Sequence, residues 1–224
     1  MTTIPKNKKI LFFCAHPDDD VFSAGALIYT LAKNNNQVVC VYLTSSPRGV
    51  AKEVSNEEKI RIRKTEAVNA GKILGVKTVF LDLDKPTLEQ NKENTKLIVR
   101  LLKEEKPDII FLPPKNDAHP THRKVSEIIT ESQKSVEINE NWFYETWTPL
   151  EKPNFIFFFD ERLMKIKMRA IKRHKSQLER VDYLGAIVSL NTFRGIMGQE
   201  LLGGFGKSYK NDEKYGEAFL IIKN

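Results

Sequence analysis

The 224-residue chain contains only two cysteines, four histidines and no apolar stretch of membrane-spanning length. Cys14 and Cys40 each sit inside an apolar run, so they read as buried thiols of a reducing compartment and not as a disulfide framework. The longest apolar runs, Ile10 to Ala15 and Phe155 to Phe159, fall far short of the roughly 20 residues that a membrane helix needs. The first of them is also too short for a secretory core, and no cleavage-site pattern follows it. The expectation is a cytoplasmic protein without membrane insertion. Three familiar motifs are missing as well: there is no P-loop, no G-x-S-x-G, and no G-x-G-x-x-G after the first strand-like run. Readings as a nucleoside triphosphatase, a serine hydrolase or a dinucleotide-binding enzyme lose their main support. An internal repeat, a low-complexity tract and a linker are likewise absent, so one domain over residues 1–224 is expected.

Hydrophobic residues make up 41% of the chain and charged residues 29%, the balance of an ordinary soluble globule. The 36 basic and 29 acidic residues leave a net charge of +7, scattered from end to end. That excess favours anionic substrates or surfaces without implying a nucleic-acid partner. Short apolar runs at Lys9 to Ala15, Gln37 to Thr44, Lys77 to Leu83 and Asp108 to Leu112 read as strands. Between and after them, Val21 to Lys33, Glu57 to Leu74, Asn94 to Glu105 and His122 to Lys134 read as helices, with Gly75 and Pro107 as stop signals. Strands alternating with crossover helices predict an α/β fold with a parallel sheet. Further strands are expected at Trp142 to Trp147 and Asn154 to Phe159, followed by one long basic helix over Leu163 to Tyr183. Its Met164, Met168, Ile171, Leu178 and Val181 recur at helical spacing and read as core. Gly203, Gly204 and Gly206 mark a flexible loop.

Three of the four histidines fall in two polar clusters at predicted strand ends: His16-Pro17-Asp18-Asp19-Asp20 after the first strand, and Asp117-Ala118-His119-Pro120-Thr121-His122 after the fourth. In the common strand order 3-2-1-4 these two strands are neighbours, and ligands of open α/β sheets bind beyond the carboxyl ends of the strands. Clusters about a hundred residues apart would therefore meet. Together they offer two imidazoles and a carboxylate to a divalent ion, a set typical of catalytic zinc with one position left for water. A second aspartate and a spare histidine remain for proton transfer and oxyanion stabilisation. The plainer alternative is that Asp18, Asp19 or Asp20 caps the helix near Val21 and that the later histidines are loop residues.

At these positions the chain resembles the LmbE-like, or PIG-L-type, zinc-dependent N-deacetylases. Ala15 to Asp20 reads A-H-P-D-D-D against the family's A-H-P-D-D-E, and His119 to His122 reads H-P-T-H where H-P-D-H is frequent. Arg63 to Glu66 is similar to the family's R-x-x-E helix, Lys167 to Gln177 to its K-x-x-A-x-x-x-H-x-S-Q stretch, and Tyr215 to Phe219 to its closing Y-A-E-x-F. The resemblance covers almost the whole chain. It implies a Rossmann-like three-layer sandwich with a mostly parallel central sheet, and removal of acetyl from an N-acetylglucosamine-type sugar or conjugate. Carried over by position, it implies one Zn2+ per chain on His16, Asp19 and His122, with other divalent metals open. It further implies Asp18 as general base, His119 as oxyanion or leaving-group aid, and Arg63 and Asp84 as substrate contacts. The family's T-x-G after the second strand is replaced here by Thr44-Ser45-Ser46-Pro47-Arg48-Gly49.

Other signals have plainer readings. His174 reads as structural, and Lys165, Lys167, Arg169, Lys172, Arg173 and Lys175 as a solvated helix face. Trp142, Phe143, Tyr144 and Trp147 suit either sugar stacking or strand packing. Two rival functions stay open: a metal-dependent phosphoesterase, and a non-catalytic metal- or sugar-binding protein. The expected partner is a small acetamido sugar, with no nucleic acid, and homo-oligomers remain compatible with the sequence.

Overall fold

The crossover pattern resolves into a sheet of seven strands in the order β3-β2-β1-β4-β5-β7-β6. The structure, a computed structural model, describes residues 3–84, 87–206 and 213–223. Strands β1 (Lys9–Cys14), β2 (Gln37–Tyr42), β3 (Lys77–Phe80), β4 (Ile109–Leu112) and β5 (Glu140–Tyr144) pair in parallel. At the far edge β7 (Tyr215–Lys223) is inserted antiparallel between β5 and β6 (Phe155–Phe159).

The central strands β1, after Lys9, and β4 are apolar on both faces because helices cover both sides of the sheet. Ile10, Phe12 and Cys14 of β1 point into one core with α1 (Asp19–Lys33), α2 (Asn56–Leu74) and α5 (Glu161–Ile171). Leu11 and Phe13 point the other way, against α3 (Lys92–Glu105) and α4 (Pro120–Gln133). The result is the three-layer, Rossmann-like, mostly parallel architecture expected. Local chemistry sets the helix ends. Ser55 caps α2 by accepting from the Glu58 amide at 3.2 Å, an S-x-x-E start, and Gly75 ends it at φ 77°. Pro120 opens α4 at its first position, two residues before the predicted start.

The last third departs from expectation. The long basic helix is broken: α5 ends at Ile171, a single turn α6 (Lys175–Leu178) follows, and α7 runs over Tyr183–Gly203. Val181 lies between helices and is exposed, so it leaves the predicted core stripe, whereas Met164 and Ile171 are buried. Lys167 is fully buried, not solvated like the other five cations of its run. The fifth strand stops at Tyr144, which leaves Trp147 outside the sheet. Gly203 ends α7, so the predicted glycine loop begins one residue later. Neither α7 nor β7 was anticipated. Helix α7 packs closely on β7 because it has no side chain at Gly195, where a Cβ would lie 2.2 Å from the Lys214 carbonyl oxygen.

The added strand also explains a kink in α1. Ala24 is non-helical at φ −138° and ψ 24°, which frees the amides of the next turn from their helical acceptors. Glu217 of β7 accepts from the amides of Ala26 and Leu27 at 2.9 and 2.8 Å. Lys167 of α5 donates to the same carboxylate at 2.7 Å. The kink is thus fixed from two directions, a few residues from the N-terminus of α1.

Candidate metal centre

Strands β1 and β4 are neighbours, with Phe12 opposite Phe111, so the chain leaves both at the same edge of the sheet. After β1 it turns at once: the amides of Asp18 and Asp19 reach the His16 carbonyl oxygen at 2.8 and 3.3 Å. Asp19 ties its Oδ2 to the His16 amide at 2.8 Å. Its Oδ1 is left facing the histidines, 3.2 Å from His122 Nε2 and 3.7 Å from His16 Nδ1. His16 Nδ1 and His122 Nε2 stand 3.2 Å apart. A tetrahedral ion with ligand bonds of about 2.0–2.2 Å holds its ligands roughly 3.3–3.6 Å from one another. The three atoms therefore fit one divalent ion, and both nitrogen and oxygen donors suit zinc.

The electrostatics agree with that fit. Burial pushes the Asp19 carboxyl up, but His122 and then His16 outweigh it and hold it well below the usual range. Burial likewise pushes His122 down, yet Asp19 and Asp117 lift it to about 10. A proton on His122 here supplies the positive charge that the carboxylates demand of a cation. Behind His122, Asp117 Oδ1 accepts from the His119 amide at 2.8 Å and lies 3.6 Å from His122 Nδ1. Its other oxygen is buried without a partner. A carboxylate behind a metal-facing imidazole sets the orientation and basicity of the ring. Sequence reasoning gave Asp117 no role, although its place in the second cluster was a signal.

Asp18 occupies the N-cap position of α1, but its side chain makes no capping bond. The plainer reading of that aspartate as a helix cap is not what the geometry displays. Asp18 Oδ2 instead accepts from Arg63 of α2 at 3.3 Å, with both residues buried. His119 does cap its helix: Nδ1 accepts from the Thr121 amide at 3.2 Å. The neutral ring must then carry its proton on Nε2. It is neutral, because burial and then the charges of His16 and His122 lower it to about 4. Asp84 accepts from the Ser45 and Ser46 amides at 3.0 and 3.1 Å, which pins the loop after β2. Asp20 accepts from the Tyr42 hydroxyl at 2.8 Å, and burial raises it to about 6.

These groups border a cavity of about 560 Å³. His16, Asp18, Asp19, Arg63, Asp84 and His119 line it, while His122 is fully buried outside the lining. All seven residues singled out from the sequence thus come together. Of the four aromatic candidates, Trp142 and Tyr144 are core and only Trp147 borders the cavity. Its ring stands 5.9 Å from His119 and 5.6 Å from Tyr183. The turn that carries it is closed by Glu145, which accepts from the Leu150 amide at 2.8 Å and from Arg194 of α7 at 2.9 and 2.7 Å. His174 is fully buried with neither ring nitrogen bonded, and burial lowers it to about 4.

The family model described as PIG-L, GlcNAc-PI de-N-acetylase, matches residues 11–132, more than half of the chain and both histidine clusters. The chain belongs to the PIG-L family. Among its relatives, the diacetylchitobiose deacetylase of Thermococcus kodakarensis is 29% identical over 192 residues, 76% of this chain and 70% of that protein. The N,N'-diacetylchitobiose deacetylase of Pyrococcus horikoshii superposes with a TM-score of 0.80 at 27% identity, over 96% of this chain and 84% of that one. GalB, the 4-carboxy-2-hydroxymuconate hydratase of Pseudomonas putida KT2440, superposes with a TM-score of 0.81 at 18% identity, over 97% of each chain. The last likeness is one of fold alone. No helix among the described residues of this PIG-L-family chain is long and apolar enough to cross a membrane.

Proposed function

We propose that this PIG-L-family chain is a zinc-dependent N-deacetylase that releases acetate from an N-acetylglucosamine-type sugar or sugar conjugate. The observation that carries the reading is the meeting of His16 Nδ1, Asp19 Oδ1 and His122 Nε2 within 3.2–3.7 Å, beside an Asp18 carboxylate that caps nothing. The named activities of the two diacetylchitobiose deacetylases support the choice of substrate.

His16, Asp19 and His122 would hold a zinc ion, which would supply Lewis acidity towards the acetyl carbonyl and lower the pKa of a water towards about 7. Asp18 is placed to accept a proton from an attacking water, and Arg63 holds the accepting carboxylate in place. His119, neutral with its proton on Nε2, donates a hydrogen bond to the carbonyl oxygen as negative charge builds there. A neutral imidazole is too weak an acid to protonate the leaving nitrogen, so Asp18 returns the proton it has taken up. Trp147 offers an apolar wall for the sugar ring. Residues 1–224 act as one deacetylase domain in this reading, and the free, buried thiols Cys14 and Cys40 support a cytoplasmic location.

The test is acetate release from acetamido sugars by zinc-loaded protein. Asp18→Ala retains zinc but loses about 100-fold or more of turnover, whereas His122→Ala loses zinc. Equal metal loss in both variants contradicts this division of roles. Phosphate release in place of acetate would restore the phosphoesterase. Against it, the two further groupings that could hold an ion among the described residues, His16 with His119 and His122 and His16 with Asp18 and Asp19, share His16 with the proposed set, which leaves room for one ion and not the pair such enzymes often use.

A further inference from the structure

Among the described residues, five other than glycine have a left-handed backbone: Asn7, Asn35, Ser46, Asp82 and Lys106. Asparagine and aspartate tolerate that region better than other L residues, which accounts for three of them. Lys106 ends α3, with its amide bonded to the Leu102 carbonyl oxygen at 2.9 Å. Ser46 has neither reason. It stands at φ 48° and ψ 53° at the head of the 3-10 turn Pro47–Gly49, and its side chain does not cap that turn. Of the five, it alone lines the cavity.

The surroundings over-determine this backbone. Asp84 accepts from the Ser45 amide with one oxygen and from the Ser46 amide with the other, at 3.0 and 3.1 Å. The Ser45 hydroxyl is bonded to Asp82, whose second oxygen accepts from Lys64 at 2.6 Å. The Thr44 hydroxyl donates to the Ala15 carbonyl oxygen at 2.7 Å, directly before His16. The Ser46 carbonyl oxygen accepts from the Gly49 amide at 3.1 Å. A Cβ on Gly49 would lie 3.6 Å from Arg63 Nη1, so the loop borders the guanidinium that holds Asp18. With the amide and carbonyl of Ser46 both engaged, its hydroxyl is the polar group it has left for the cavity. That hydroxyl has no partner among the described residues.

A left-handed serine is strained where a glycine is not. Glycine would make every backbone bond of this loop, so what serine adds is one hydroxyl, which both donates and accepts. Strain that persists at a cavity wall points to the use of the side chain there. A sugar presents hydroxyl groups with the same two capacities. We propose that Ser46 is a specificity-determining residue whose hydroxyl hydrogen-bonds one hydroxyl group of the acetamido sugar. A site built to bond a hydroxyl rejects the analogue that lacks it. The inference rests on the deacetylase reading for the ligand and adds the contact that reads its hydroxyl pattern.

The experiment compares the zinc-loaded natural chain with Ser46→Ala and Ser46→Gly. The ligands are the methyl glycoside of N-acetylglucosamine and its 3-deoxy, 4-deoxy and 6-deoxy forms, followed by acetate release and by calorimetric affinity. Ser46→Ala is expected to lose about 3- to 10-fold on the parent sugar, in KM and affinity more than in kcat, at an unchanged melting temperature. Ser46→Gly loses about the same factor while its melting temperature rises by a few degrees, because the backbone strain is relieved. One deoxy ligand should lose about as much on the natural chain and nothing further on Ser46→Ala, the mark of a shared contact. Acetate release at the natural KM in Ser46→Ala, or full additivity for all three deoxy ligands, overturns the inference and leaves the deacetylase standing. Sugar binding that weakens in Ser46→Ala without acetate release supports the inference and removes the deacetylase. Neither binding nor release overturns both.

Discussion

Two buried charge clusters touch the same helix, α1, and they follow opposite rules. At its kink the Glu217 carboxylate receives Lys167 and two backbone amides, all within 2.9 Å. At its N-terminus, three imidazoles and three carboxylates crowd together with Asp117 Oδ2, His122 Nδ1 and Arg63 Nε buried and unbonded. The first cluster is closed, and any change to it removes a partner. The second is open: His16 Nδ1, Asp19 Oδ1 and His122 Nε2 converge on one point, and buried polar atoms around them have no partner. Fully paired burial is a structural arrangement, while incompletely paired burial marks a place built for something else. The same fold carries a hydratase in GalB, so it is this open cluster and not the sheet that argues chemistry.

The comparison breaks most visibly at the closed pair. Glu217→Ala leaves the Lys167 ammonium and two amides buried alone, and is expected to cost about 3–5 kcal/mol in chemical denaturation. A cost under about 1 kcal/mol would make the pair incidental. Next comes pH. His174 stays neutral in the fold down to about 4, whereas the unfolded ring takes up its proton near 6.5, so the unfolded state binds more protons in that window. Stability from this residue is present above pH 6.5 and is lost as pH falls to 4, by up to about 3 kcal/mol. Denaturation at stepwise pH should be flatter over that window for His174→Phe than for the natural chain. The smallest effect lies in the open cluster. Asp117→Asn removes charge behind His122 and is expected to weaken zinc binding about 10- to 100-fold. The metal-free variant should unfold at nearly the same denaturant concentration, since no closed network is broken.

What was legible in the sequence follows the same division. The parallel half was readable because its strands carry short apolar runs, as in β1 and β4, and its helices carry their own end signals, as with Ser55 and Gly75 on α2. The site was readable because strand order alone brings residues 16–20 and 117–122 together. Helix α7 was not readable, since its pattern is inverted. It buries Asn191, Arg194, Gly195 and Gly198 against the sheet and exposes Phe193, Ile196 and Met197. Apolar periodicity cannot find a helix that packs through glycines and a buried ion pair. Lys167 was misread as a solvated residue because its partner, Glu217, lies 50 residues away on a strand that was itself unseen. Asp117 went without a role because it stands behind His122, 3.6 Å from Nδ1, and does not line the cavity.

The central claim is that His16, Asp19 and His122 together hold one ion. Its most direct test is zinc content per chain, measured on protein purified without chelator, beside the His16→Ala and His122→Ala variants. The account predicts about one zinc per natural chain and a large loss in each variant. Absence of zinc from the natural chain even after zinc is added back, or full retention by both variants, would contradict it.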